Sequence, residues 1–117
     1  MSVPVQLSDI RDVVAGQAPF PYLLTTSDDA TPHAVAITPV LGDDTISVDA
    51  GHRSCANAST HPNVSLLWPP ATFDDYSLIV DGVAAVDGSV VVVKPGRALR
   101  HRPAPGGGND CIQLPLQ

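Results

Sequence analysis

One stretch limits the fold more than any other: residues 45–68, TISVDAGHRSCANASTHPNVSLLW. Residues 45–48 carry β-branched side chains and read as a strand, which Asp49, Ala50 and Gly51 break. Residues 53–60 are small and Ala-rich, with Asn57 inside them, and suffice for about two helical turns. Pro62 ends that helix, because it lacks an N–H and disfavours the helical region for His61. Residues 64–68 are then a short apolar strand ending at Trp68. A helix this short holds its shape by packing, so the flanking chain must supply a sheet for it to lie on.

The rest of the sequence supplies strands. Ser8 is a candidate N-cap for a helix over 9–15, with Ile10, Val13 and Val14 on one face and Gly16 at its end. Residues 22–27 form the first strand, Asp28 to Thr31 its turn, and Pro32 opens a second strand over 33–40. There Val35 and Ile37 point one way and Ala34, Ala36 and Thr38 the other, while Pro39 interrupts the ladder as an edge or bulge. After a proline-led loop at 69–75, residues 76–86 form a strand long enough to bend, with Gly82 the expected bend or bulge. Asp87-Gly88 signals a two-residue hairpin into the apolar strand 89–93. Pro95 is expected to open a short helical segment over 96–102. The run PAPGGGND at 103–110 has linker chemistry and is expected to be mobile, and 111–116 to add a last strand. No internal repeat breaks the 117 residues, so residues 1–117 read as a single domain: a mainly β barrel or sandwich with peripheral helices.

Composition agrees. Hydrophobic residues make up 44% but aromatics only 4%, so the core must be built from Val, Leu, Ile and Ala. All twelve acidic residues are Asp, which favours turns and caps over helix interiors. A formal charge of −6 argues against general binding to nucleic acid or anionic membrane. Cys55 and Cys111 form no metal or redox motif, which suggests reduced thiols and a cytoplasmic setting. No apolar run approaches a membrane helix, so a soluble protein is expected.

The order of these pieces resembles the flavin-binding split β-barrel family, the pyridoxamine 5′-phosphate oxidase-like and deazaflavin-dependent oxidoreductase-like proteins. The residues that carry the resemblance are Asn57, Pro62, Val64, Ser65 and Leu66, as N-x-x-x-x-P-x-V-S-L. YLLTTSDDATPHAVAITPV fits the family's first hairpin, and YSLIVDGVAAV its long fifth strand; the likeness covers about residues 21–93. It implies a Greek-key split β-barrel of about six to seven strands with two or three short helices. It further implies a homodimer with two interfacial sites, bound FMN or a deazaflavin coenzyme, and hydride exchange with a small substrate. The flavin phosphate would lie at His52, Arg53 and Ser54 beside Asn57, and the ring along the second strand near Ala36 and Thr38, with Trp68 nearby. The family usually carries a Lys or Arg three residues before the Asn and another two residues earlier. Here those positions are Ser54 and His52, and Arg53 between them keeps the fixed charge.

Each candidate also has a plainer role. A helix N-terminus with a guanidinium suits a phosphate, but Arg53 also fits a solvated cap. Asn57 fits a side chain bonded to neighbouring backbone, His61 a turn residue, and His33 an exposed strand start. Trp68, Phe73 and Tyr76 flank the proline loop, where packing accounts for large aromatics as well as ligand contact does. Lys94, Arg97, Arg100, His101 and Arg102 form the one basic cluster, read as a solvated face or as an attractor for an anion or an acidic partner surface. Cys55 reads as an inert thiol. No catalytic triad, carboxylate pair, phosphate loop or zinc pattern is visible. The rival to the oxidoreductase is therefore a non-catalytic split barrel that binds or carries a small ligand, or a cofactor-free dimeric interaction protein.

Overall fold

The computed structural model describes residues 1–103. Within them the strands are β1 (Ser2–Val5), β2 (Tyr22–Thr26), β3 (Pro32–Ala36), β4 (Pro39–Leu41), β5 (Ile46–Asp49), β6 (Asn63–Trp68), β7 (Ser77–Asp87) and β8 (Val90–His101). Helix α1 (Ile10–Val14) follows a 3-10 turn at Leu7–Asp9, and α2 (His52–Thr60) joins β5 to β6. The strands form one antiparallel sheet in the order β3-β2-β6-β7-β8-β5-β4, with β1 added along β8.

That order explains the curl. β3 and β4 lie at opposite ends of the sheet, yet only Ile37 and Thr38 separate them in the chain. Two residues reach only about 10 Å between the flanking Cα atoms. The two ends must therefore approach each other at that corner, and the sheet closes into a split barrel. The continuous second strand expected over 33–40 is thus two strands. The chain leaves one edge after Ala36, where the Ile37 N–H donates to Pro21 O at 3.0 Å, and joins the other at Pro39.

The core lies inside the curl and is aliphatic apart from Trp68. Leu23, Leu66, Leu78, Val48, Val80, Val91 and Val93 are fully buried around it. β7 and β8 form the long central pair, with a register shift between Asp81 and Gly82. Gly96 is the extra residue: Asp81 faces Arg97 while Gly82 faces Pro95. The bulge expected at Gly82 thus falls on the partner strand opposite it, and it changes which side of β8 faces the core, from Val91 and Val93 before it to Ala98 after it. The hairpin turn is Gly88-Ser89, with Gly88 at φ +62°, one residue beyond the Asp87-Gly88 pair expected from sequence.

Two further expectations fail. Residues 96–102 are not helical; β8 continues as far as His101, because the ladders to β7 and β1 satisfy both edges of this segment and Pro95 sits at the bulge, where a missing N–H is tolerated. β1 itself has no signal in SVPV, and its partner strand defines it. Ser8 does not cap α1. It lies inside the 3-10 turn, and the N-cap position is Asp9, which makes no side-chain capping bond. The expected mobile run 103–110 and the last strand 111–116 lie, Pro103 apart, outside the described residues. No helix among the described residues is long and apolar enough to cross a membrane.

Candidate functional site

Helix α2 begins at His52 behind Gly51, which has extended backbone angles (φ −71°, ψ 170°) and offers no capping side chain. The first turn of α2 has no side-chain cap, and a Cβ added at Gly51 would meet nothing within 4 Å. Ser54, Asn57 and Ala58 form the buried face at i, i+3, i+4 spacing, and α2 packs on β7, β2 and β8. At the other end the helix stops at His61, whose N–H donates to Asn57 O at 2.7 Å, and Pro62 turns the chain into β6. The strand–helix–proline–strand unit is as the sequence reads.

Between α2 and the β2–β3 hairpin lies a recess of about 520 Å³, walled by Ser27, Asp28, Asp29, Thr31, Pro32, His33, Arg53 and Asn57. Asn57 is the buried strut of this site. Its Nδ2 donates to Thr25 Oγ1 at 3.1 Å, and both side chains are almost wholly buried, so α2 is tied to β2 at one distance. Arg53 is exposed at the rim. The hairpin turn opposite is rigidified by its own polar groups. The Ser27 N–H donates to Thr31 O at 3.0 Å, the Ser27 hydroxyl donates to Asp29 Oδ1, and Ala30 takes a left-handed conformation at φ 65°. The Ser27 hydroxyl first, and then the Thr31 side chain and backbone, hold the Asp29 carboxyl below its ordinary pKa. His61 Nε2 lies 2.9 Å from Oδ1 of Asp28, one of the walls of the recess.

Of the residues selected from sequence, the fold brings Arg53 and Asn57 to one wall. His52 is exposed on the first turn of α2 but does not wall the recess, and Ser54 is 1% exposed with an Oγ that has no hydrogen-bond partner among the described residues. Ala36 and Thr38 lie at the far end of β3 and in the β3–β4 corner, about 10 Å along the strand from His33. Trp68 is 2% exposed and belongs to the core. His33 was expected to be exposed; it is half-buried, walls the recess, and its Nδ1 is buried without a partner. The alternation along β3 was legible. That this strand faces α2 was not, because 20 residues separate His33 from Arg53 in the chain.

A second groove of about 480 Å³ crosses the sheet beside the bulge. Its polar line is a cross-strand ladder. Ser65 Oγ donates to Asp81 Oδ1 at 2.6 Å, and Arg97 donates to Asp81 Oδ2 through Nε and Nη2 at 3.1 and 2.9 Å. The described residues hold no cluster of metal-ligating side chains.

The recess fits a phosphorylated group in two respects: a fixed guanidinium at Arg53 and the half-buried imidazole of His33. Asp28 and Asp29 on the same wall oppose an anion.

No family model matches the chain. The uncharacterized proteins Mb0449c of Mycobacterium bovis and MT0457 of Mycobacterium tuberculosis are each 38% identical to it over an alignment spanning 74% of this chain and 72% of theirs. Among solved structures, an F420 reductase superposes with a TM-score of 0.62 at 13% identity, covering 80% of this chain and 97% of that one. The FAD binding protein from Mycobacterium smegmatis gives 0.59 at 20% identity, covering 87% and 100%. A candidate pyridoxamine 5′-phosphate oxidase from Listeria innocua gives 0.57 at 18% identity, covering 79% and 94%. At these identities the likeness is one of fold, and the fold is the split barrel.

Proposed function

The chain belongs to the same family as the mycobacterial proteins Mb0449c and MT0457, and from its split-barrel fold and the recess beside α2 we propose that it binds FMN or a deazaflavin coenzyme and acts as an oxidoreductase on a small substrate. The observation that carries this reading is the recess between α2 and the β2–β3 hairpin, with Arg53 at its rim and Asn57 in its wall. The names of two fold neighbours, an F420 reductase and an FAD binding protein, support the same class of cofactor.

When bound, such a cofactor supplies the hydride chemistry at its ring. The chain's part is binding and orientation. Arg53 would neutralise the phosphate, Asn57 holds the helix at its distance from β2, and the small exposed Ala36 and Thr38 would leave room for a flat ring. The reading includes a homodimer. Tyr22, Val40 and Val83 are 38%, 67% and 56% exposed, and a second copy would bury such apolar surface. Sedimentation equilibrium at micromolar concentration should give a dimer, and a monomer alone would remove that element.

The deciding measurement is the near-ultraviolet to visible spectrum of the purified protein, followed by fluorescence titration with FMN and the deazaflavin coenzyme. Saturable, stoichiometric binding of one is expected; binding of neither overturns the reading. One observation favours a second reading, a carrier of a small ligand without a dianionic group. Ser54, where the family usually has a base, is buried, and Asp28 and Asp29 share the wall with Arg53.

A further inference from the structure

The recess beside α2 has a wall that the α2 segment does not supply. His33 reaches it from β3, whose alternation leaves Pro32 and Ala34 exposed and puts His33 on the side of Val35, which packs against the core. His33 is the register partner of Thr25 on β2, so their Cβ atoms lie about 5 Å apart. Thr25 Oγ1 accepts from Asn57 Nδ2 at 3.1 Å, and Arg53 stands one helical turn before Asn57 on the same side of α2. His33 and Arg53 are thereby held at opposite ends of one short connection through Thr25 and Asn57, both almost wholly buried.

The fold does not use the imidazole. Its Nδ1 is buried without a partner, and the ring makes no ion pair among the described residues. A buried N–H without an acceptor costs more than a buried lone pair, so the neutral ring keeps its proton on Nε2, and Nε2–H is the donor left for the recess. The carboxylates of the same recess are engaged elsewhere. Asp28 Oδ1 lies 2.9 Å from His61 Nε2, and Asp29 Oδ1 accepts from the Ser27 hydroxyl and the Thr31 N–H. The two positions of the α2 segment where the family usually has a base are Ser54, which is buried, and His52, which does not wall the recess.

We propose that His33 is the second phosphate-binding side chain of this site, donating from Nε2 to a phosphate oxygen while Arg53 supplies the charge. The assignment rests on the reading of the recess as the site of the cofactor's phosphate, and it gives that site a donor from β3 where the α2 segment offers Arg53 alone.

The test follows the four histidine rings of the full chain in long-range proton–nitrogen NMR spectra while inorganic phosphate, FMN and riboflavin are titrated separately. His33 is expected as the Nε2–H tautomer, with Nε2 moving saturably on adding FMN or phosphate and little on adding riboflavin, while His52 and His101 stay in place. His33→Ala should weaken FMN binding at least about tenfold and leave riboflavin binding unchanged, and His33→Gln, whose amide N–H reaches the position of Nε2, should recover part of the loss. A thermal unfolding curve for each variant separates lost binding from lost folding, and the spectra of the natural chain decide the question where a variant does not fold. If FMN binds and the His33 ring does not move, or if folded His33→Ala binds FMN as tightly as the natural chain, His33 is not a phosphate ligand and the cofactor reading stands without it. If no flavin binds but phosphate shifts His33 saturably, the cofactor reading falls and the phosphate site stands. If neither phosphate nor FMN moves the ring, the proposal is overturned.

Discussion

Gly82 is the position where the smallest chemical change should cost most. It faces Pro95 across the β7–β8 bulge, and an added Cβ would sit 2.5 Å from Lys94 O and 2.7 Å from Val93 Cγ1. Contacts below 3.0 Å to a Cβ essentially never occur, and the nearer obstacle is backbone, so the alanine forces β7 and β8 apart at the centre of the barrel wall. Overpacking of this kind costs about 1–3 kcal/mol. Loss of glycine's freedom in the unfolded chain offsets about 0.4–1 kcal/mol of that. The net expectation for Gly82→Ala is a destabilisation of about 1–2 kcal/mol, or a melting temperature lower by roughly 5–10 °C for a chain of this size. Gly96, the extra residue of the same bulge, is the internal control, because a Cβ there meets nothing closer than Asp81 O at 3.9 Å. Gly96→Ala should change stability by less than about 0.5 kcal/mol. Thermal and urea unfolding of the three proteins decides the matter. If Gly82→Ala melts with the natural chain, or if the two alanine variants lose the same stability, the close approach of β8 to Gly82 is not what the glycine serves.

Three further outcomes are expected. Arg53→Ala should weaken FMN binding by about 1.5–3 kcal/mol, the range for a hydrogen bond to a charged group, and leave riboflavin, which lacks the phosphate, nearly unaffected in a fluorescence titration; equal FMN affinity would place the phosphate elsewhere. Asn57→Ala removes the donor to Thr25 Oγ1 and should cost about 1–3 kcal/mol in urea unfolding, with a double cycle through Thr25→Val showing the two losses to be non-additive. Ser27→Ala removes the largest cause of the low Asp29 pKa and should raise it toward the ordinary 3.8, read by carboxyl NMR titration. A carboxylate depressed in the folded state adds stability above its unfolded pKa and loses it as the pH falls through its folded pKa, so that contribution should shrink in Ser27→Ala above about pH 4; an unmoved Asp29 titration would show that the hydroxyl is not the cause.

Much of the architecture is legible in local sequence. Pro62 stops α2, Gly88 permits the β7–β8 turn, and the Val-rich alternation yields a sheet with one buried face, because each of these depends on backbone chemistry within a few residues. Arg53 and Asn57 were likewise selected from the α2 segment itself. Other features depend on contacts between distant segments. Pro39 announced an interruption but not that β3 and β4 would sit at opposite ends of the sheet. Pro95 looked like a helix opening, and only the ladders from β1 and β7 make residues 96–101 a strand. His33 became part of a site because β3 pairs with β2, the strand to which Asn57 ties α2, and Trp68 became core because β6 lies within the sheet. Arg100 and Arg102 read as a charged face until the bulge at Gly96 and the start of β7 set them against Tyr76. Propensity and periodicity are properties of a segment, so the sequence alone determined the elements and their punctuation. Register, curl and bulge are set by the partner strand, so the tertiary structure decided which side chains meet and where a ligand has room.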